Sequence, residues 1–177
     1  MHPYRMQRLI KDRGKDQVIN VKQRASLYQT ISQLLRAGLI TFWETEHPEG
    51  FPERTVYKLT DKGHDTALTW MREMLSTPAQ EFPEFPAAVS LLPLLTPEDA
   101  LHQMEIREAR LTDQIASIDK EAQINLPRLF LLESEYMQIV LEAELKWVRS
   151  IIADLRSGQL TWNQEWMRPF VPPEIEE

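Results

Sequence analysis

The chain has 177 residues, 42% of them hydrophobic, no cysteine and a formal net charge of −7. That length fits one domain or two small ones, and that apolar fraction excludes an intrinsically disordered chain. The absence of cysteine excludes disulfides, thiolate metal sites and cysteine nucleophiles.

The apolar runs, such as Ala87–Leu95, fall far short of the ~20 residues a membrane helix needs. No apolar segment follows Met1-His2-Pro3-Tyr4-Arg5, so no secretory signal is read and a soluble cytoplasmic protein is expected. Charge is unevenly spread. Residues 1–75 hold 12 Lys/Arg and 9 Asp/Glu, whereas residues 76–177 hold 8 and 18. Within residues 1–43 the ratio is 8 basic to 2 acidic. A basic end on an acidic body can meet a polyanion at that end only.

Pro3–Arg13 reads as a short helix, with proline in the first turn, Met6, Leu9 and Ile10 on one face, and Gly14 as its stop. A second helix, Lys22–Ala37, carries Leu27, Ile31, Leu34 and Leu35 at spacings of three and four and closes at Gly38. Two short helices joined by a few residues make a helix-turn-helix candidate. Leu39–Glu44 and Thr55–Thr60 are β-type runs, and His47–Pro52 between them is dense in turn formers. They form a hairpin, the wing of a winged helix. Asp61 begins a third helix with Ala67, Leu68, Met71 and Leu75 on one face.

Five prolines between residues 76 and 97 mark a hinge, with a short apolar helix, Ala87–Leu95, inside it. Thr96 then reads as the N-cap of a long helix, followed by Pro97, Glu98 and Asp99. Its stripe is Leu101, Met104, Leu111, Ile115, Ile118 and Ala122, interrupted by Glu108. After a break at Asn125 and Pro127, a second long helix runs over 128–156. Its expected stripe is Leu129, Leu132, Tyr136, Ile139, Ala143, Trp147, Ile151 and Leu155. The tail from Gln159 reads as an extended strap or a partly disordered segment. Two long helices with wide apolar faces leave surface uncovered, which a second copy of the chain would bury. Leu111, Ile115, Ile118, Tyr136, Ile139, Trp147 and Ile151 are the candidate dimer-interface residues. An arm folded back on the winged domain is the alternative.

Three motifs in order carry a family resemblance. Met1-His2-Pro3-Tyr4 is similar to a Met-His-Gly-Tyr helix opening. Ser26-Leu27-Tyr28, Leu34-Leu35 and Ala37-Gly38-Leu39-Ile40 are similar to a Ser-Leu-Tyr, leucine-bearing helix and Gly-Leu-Ile series. Arg54–Gly63 is similar to a wing strand ending Tyr-x-Leu-Thr-x-x-Gly. Together they resemble the PadR family of transcriptional regulators, in the subgroup with a long helical C-terminal domain. The chain departs from that pattern in starting at the first motif, so the helix that normally precedes it is expected to be absent. Pro3 also stands where glycine is common.

The fold class expected is mainly α with a small β-hairpin. A winged helix-turn-helix over 1–75 precedes an antiparallel helical dimerisation arm with a C-terminal tail over 76–177. The resemblance implies a sequence-specific, ligand-responsive repressor acting as a homodimer on double-stranded DNA. The recognition helix would present Lys22, Gln23, Arg24, Ser26, Tyr28 and Gln29 to the major groove. Arg and Gln suit guanine and adenine edges, while Ser26 and Tyr28 suit phosphates. The bland alternative has Ser26 as a cap and Tyr28 in the core. Arg54 and Lys58 on the hairpin would meet the backbone or minor groove, against Glu44, Glu46, Glu49 and Glu53 nearby. Trp43, Trp70, Trp147, Trp162 and Trp166 are candidates to line a pocket for a small apolar or aromatic effector. No metal, cofactor or membrane partner is expected. His2, His47, His64 and His102 lack metal-ligand spacing, and neither a phosphate-binding glycine loop nor a nucleophile elbow is present, so an enzyme is not expected. The alternative from another class is a dimeric winged-helix interaction module that has lost DNA binding.

Overall fold

Punctuation by proline, threonine and glycine sets where the helices begin and end. The computed structural model describes residues 1–15, 18–19, 24–47, 53–122 and 126–163, with the side chains of 24, 25 and 119–122 outside the description. The chain divides into two compact units, Met1–Gln80 and Glu81–Glu177.

In the first unit, helix α1 spans Pro3–Asp12. His2 caps it, its Nδ1 accepting a hydrogen bond from the Tyr4 amide at 3.1 Å. Burial, and then the charge of Arg54, hold the His2 pKa below the ordinary 6.5, with Glu46 acting in the opposite direction. Only the neutral ring can accept at Nδ1. The cap is therefore complete above 6.5 and is lost as pH falls through the lowered value. Helix α2 spans Arg24–Arg36. It ends where Gly38 takes a left-handed φ of 68°. The Leu39 amide donates back to Leu34 O at 2.9 Å and the Gly38 amide to Leu35 O at 3.0 Å. This paired closure satisfies the Leu34 and Leu35 carbonyls at the end of α2 and leaves Leu39 only 7% exposed, one of the buried apolar residues of this unit with Ile31 and Val56.

Strands β1, Ile40–Glu46, and β2, Arg54–Leu59, pair antiparallel from Ile40↔Leu59 to Glu46↔Arg54. Between Phe42 and Glu44 the register shifts, leaving Trp43 as the extra residue of a bulge. The Met1 backbone joins the free side of β2, exchanging hydrogen bonds with Tyr57 in both directions.

Helix α3, Asp61–Ser76, is fastened to the end of α2 by its first residues. The Thr60 hydroxyl caps α3 by accepting from the Gly63 amide at 2.9 Å, and it donates to Gly38 O at 2.9 Å. Lys62 Nζ reaches Ala37 O at 2.8 Å. Gly63 is buried under this lock because a β-carbon there would overlap the Leu39 carbonyl oxygen and lie 2.9 Å from Leu59 Cδ1. The Leu-Thr-x-x-Gly motif therefore has a structural cause. Thr60→Ala removes the cap and is expected to cost about 1 kcal/mol in the unfolding free energy of this unit, measurable by denaturant titration. Thr60→Ser, which keeps the hydroxyl, is expected to recover most of it.

In the second unit, α4 spans Glu84–Ser90, earlier than the expected Ala87–Leu95, because the Leu91-Leu92-Pro93 stretch tightens into a short 3₁₀ turn over Leu92–Leu94. Helix α5 spans Pro97–Ala122, and the Thr96 hydroxyl accepts from the Asp99 amide at 3.2 Å as its cap. Helix α6 spans Leu132–Ser157, after a 3₁₀ turn at Arg128–Phe130. The α5–α6 hairpin is held by a core of Met104, Leu111, Leu145, Val148 and Ile152, with Phe85, Val89 and Leu92 packed against it. Among the described residues three cross-helix ion pairs flank the seam. Arg149 Nε meets Glu108 Oε1 at 2.7 Å, Arg156 Nη2 meets Glu105 Oε1 at 2.7 Å, and Arg107 Nε meets Glu144 Oε1 at 2.6 Å. Glu108, which broke the heptad in the sequence, thus lies at the seam's edge and takes Arg149. Beyond α6 the chain turns at Gly158 and Trp162 Nε1 donates to Leu95 O at 2.9 Å, closing the open end of the hairpin.

Much of the stripe expected on α6 stays uncovered within one chain, and a different set of residues faces α5. Leu145, Val148, Ile152 and Leu155 are buried, whereas Leu129, Leu132, Tyr136, Ile139 and Trp147 are between 40% and 71% exposed. Helix α6 carries two apolar stripes on nearly opposite faces, and periodicity alone cannot choose which one meets α5.

Candidate nucleic-acid interface

Helix α2 is amphipathic in a way that fixes which face is presented. Ile31 is buried and Leu27 and Leu34 are half-buried, at helical spacings of four and three. Roughly opposite lie Ser26, Gln29, Ser32, Gln33 and Arg36, all exposed. Tyr28 is 55% exposed on the flank of that face, so it does not pack in the core. Thr30 Oγ1 donates to the Ser26 carbonyl at 2.9 Å and Arg36 Nε to the Ser32 carbonyl at 3.4 Å. The Gln29 and Gln33 amides thus stand on the outward face between helix-bonded neighbours.

Of the candidate DNA contacts, Ser26 and Gln29 share the outward face at the N-terminal end of α2, and Tyr28 is exposed on its flank. Lys22 and Gln23 lie outside the described residues. Arg24 is the first residue of α2, with its side chain outside the description. On the hairpin, Arg54 is half-buried and faces Glu46 in the ladder. Lys58 is exposed, and its ammonium sits 4.3 Å from the centroid of the Trp43 ring. Lys58 is therefore engaged by the wing itself, and His47 Nδ1 meets Glu53 Oε1 at 3.1 Å.

Two groups of residues escaped the sequence reading. Gln33 and Arg36 share the outward face of α2, which the i, i+4, i+7 spacing from Gln29 could have revealed. On α1, Arg5 and Arg8 stand with Tyr4, Leu9, Asp12 and Arg54 around a pocket of about 370 Å³. The i, i+3 basic pair opposite Met6 and Ile10 was its signal.

The candidate interface residues of the arm separate into two sets. Leu111 and Ile118 are buried within one chain, and Ile115 and Ile151 are packed against the same core. Tyr136 and Ile139 are 68% and 60% exposed. Trp147 is 40% exposed and meets the Phe85 ring edge-on at 5.9 Å, while Arg107 covers the Phe85 face at 3.4 Å. A groove of about 560 Å³ runs along α4 and α5, floored by Val89, Leu92, Met104 and Leu111, with Arg110 at its rim. Among the tryptophans, Trp43 and Trp70 belong to the first unit, Trp147 and Trp162 to the second, and Trp166 lies outside the described residues.

Among the described residues no cluster of His, Asp or Glu could hold a metal ion, and no helix is long and apolar enough to cross a membrane.

No family model and no curated protein matches the sequence. Solved structures do match. Bacillus subtilis PadR in complex with operator DNA superposes with a TM-score of 0.68 at 18% identity, over 88% of this chain and 91% of that one. The same protein in complex with p-coumaric acid gives 0.68 at 15% identity, over 88% and 90%. The Vibrio cholerae virulence activator AphA gives 0.66 at 17% identity, over 88% and 90%. At such identities the likeness is one of fold. The architecture is mainly helical with a two-stranded antiparallel hairpin, a winged helix followed by a helical arm, and this is the fold of the PadR and AphA regulators.

Proposed function

We propose that this chain, sharing its fold with PadR-type regulators, is a sequence-specific DNA-binding transcriptional regulator that acts as a homodimer. The observation that carries the reading is the outward face of α2, where Ser26, Gln29, Gln33 and Arg36 are exposed along a helix whose opposite face is anchored. A helix so placed, ahead of a hairpin, suits the major groove. Gln29 and Gln33 offer the paired donor and acceptor that adenine matches, and Tyr28 and Ser26 offer hydroxyls to phosphates. Lys22, Gln23 and Arg24 extend the same end in sequence.

The test is a mobility shift with the duplex upstream of the chain's own gene, at low and moderate salt. Parental protein is expected to bind, and more weakly as salt rises, because neutralised phosphates release counterions. Gln29→Ala and Arg24→Ala are each expected to lose about 1–3 kcal/mol of discrimination between that duplex and a scrambled one. Equal discrimination by parent and both variants would remove α2 as the reading element.

The dimer is proposed to form across the outward stripe of α6, with Tyr136, Ile139 and Trp147 at its centre. Regulation by a small amphipathic molecule and action as a repressor complete the reading, supported by PadR having been solved with p-coumaric acid. A winged module without DNA binding is the second reading. It draws on Lys58 being engaged by Trp43 and Arg54 standing opposite Glu46. The same mobility shift separates the two.

A further inference from the structure

We infer that α1 supplies a second DNA-binding element, a backbone clamp in which Arg5, Arg8 and Tyr4 hold a phosphate of the duplex beside the distal end of the wing. This rests on the DNA-binding reading and adds to it a surface outside α2. Tyr4, Arg5, Arg8 and Asp12 recur at spacings of three and four, so they lie on one side of α1, and that side forms one wall of the 370 Å³ pocket. Arg54, the first residue of β2, forms the other wall. Three guanidinium groups thus line a concavity that contains a single carboxylate, Asp12.

The cations differ in how they are held. Arg5 is exposed and has no partner among the described residues. Arg8 meets Asp12 at 3.4 Å, but both side chains are largely exposed, at 72% and 64%. Exposed pairs of this kind are weak and exchange readily for a better anion. A phosphodiester offers two charged oxygens to the planar fork of an arginine, a geometry that favours Arg over Lys. The Tyr4 hydroxyl, on a ring that is 54% exposed, adds a neutral donor. The Tyr4 ring, Leu9 and the arginine stems give the pocket apolar walls, while its charged lining is three arginines against one aspartate, so its net charge suits an anion such as a backbone phosphate.

The location supports the duplex as the source of that phosphate. Arg54 pairs with Glu46 at the outer end of the hairpin ladder, so the pocket lies between α1 and the tip end of the wing. In helix-turn-helix proteins the helix before the recognition helix crosses the backbone, and α1 occupies that position before α2.

The experiment compares the parent with Arg5→Ala/Arg8→Ala and Arg5→Lys/Arg8→Lys in duplex binding as a function of salt. A phosphate contact contributes about 0.9 to the slope of log affinity against log salt. The double alanine variant is expected to lose roughly two units of slope and about tenfold or more in affinity at ~0.1 M salt, equally for the operator and a scrambled duplex. The double lysine variant is expected to recover the slope and only part of the affinity. Unchanged folding of these exposed positions is checked by thermal midpoint. A parental chain that binds duplex, with the alanine variant matching its slope, overturns the clamp alone. A loss confined to the operator also overturns it, because phosphates carry no sequence. A parental chain that binds no duplex overturns both the clamp and the function on which it rests.

Discussion

Alanine at position 63 is expected to unfold the first unit while leaving the α5–α6 hairpin intact. The added β-carbon would overlap the carbonyl oxygen of Leu39, a main-chain atom that cannot swing away as a side chain would. Relief requires α3 to move off the end of α2. That movement breaks the Thr60 amide bond to Leu39 O at 3.1 Å, the Thr60 hydroxyl bond to Gly38 O at 2.9 Å and the Lys62 bond to Ala37 O at 2.8 Å together. Overpacking alone costs about 1–3 kcal/mol, and losing these bonds adds to it. The sum reaches a large part of the ~5–15 kcal/mol by which domains are stable. Gly38→Ala is the useful contrast. No atom lies within 4 Å of its added β-carbon, and only the φ of 68° is strained, a cost of about 1–2 kcal/mol. Hydrogen exchange resolved by residue reads both effects. If the two variants lose equal protection across residues 24–76, the close approach of Leu39 to α3 is not what position 63 protects.

The second large effect is expected in assembly. Ile139→Asp places a carboxylate at the centre of the outward stripe of α6, and the two-fold symmetry of the proposed dimer would place it there twice. Burying an unpaired charge costs several kcal/mol, so the dimer is expected to weaken roughly a thousandfold or more. Because Ile139 is 60% exposed within one chain and absent from the hairpin core, the variant is expected to retain its helix content. Sedimentation of parent and variant at micromolar concentration checks this. A variant as dimeric as its parent moves the interface elsewhere, and a monomeric parent removes it. Leu145→Asp is the opposite control, since that residue is buried in the seam and its loss should melt the hairpin itself.

Much of this was legible in the sequence because local rules and packing agree. Pro3, Gly38, Thr60, Thr96 and Gly158 each mark a boundary by backbone chemistry that neighbours do not override, and the helices and strands end within a few residues of those marks. The Leu-Thr-x-x-Gly motif was readable as a pattern, but its reason was not. The near-contact of Gly63 with Leu39 joins residues 24 apart in sequence. On α6 the sequence offered two apolar stripes of similar strength, and choosing between them needs the partner helix. Leu145 and Val148 went unread as core for that reason. Within the candidate interface, Ser26, Tyr28 and Gln29 were legible as the polar start of a helix. Arg5 and Arg8 were not, because their meaning depends on Arg54, which folding brings from the far end of the hairpin. The bulge at Trp43 was likewise invisible, since one extra residue in a short strand leaves no mark on composition.

That bulge bears on how the hairpin would meet a second copy of itself. A two-stranded sheet exposes an open strand edge, and on β1 that edge carries Phe42 and Trp43, each 55% exposed. A flat ladder with aromatic side chains would template a strand from a neighbouring molecule and grow into aggregates. The register shift at Trp43 twists the edge out of line, so an incoming strand finds no continuous row of donors and acceptors. Glu44 and Glu46 then repel an identical hairpin arriving edge-on.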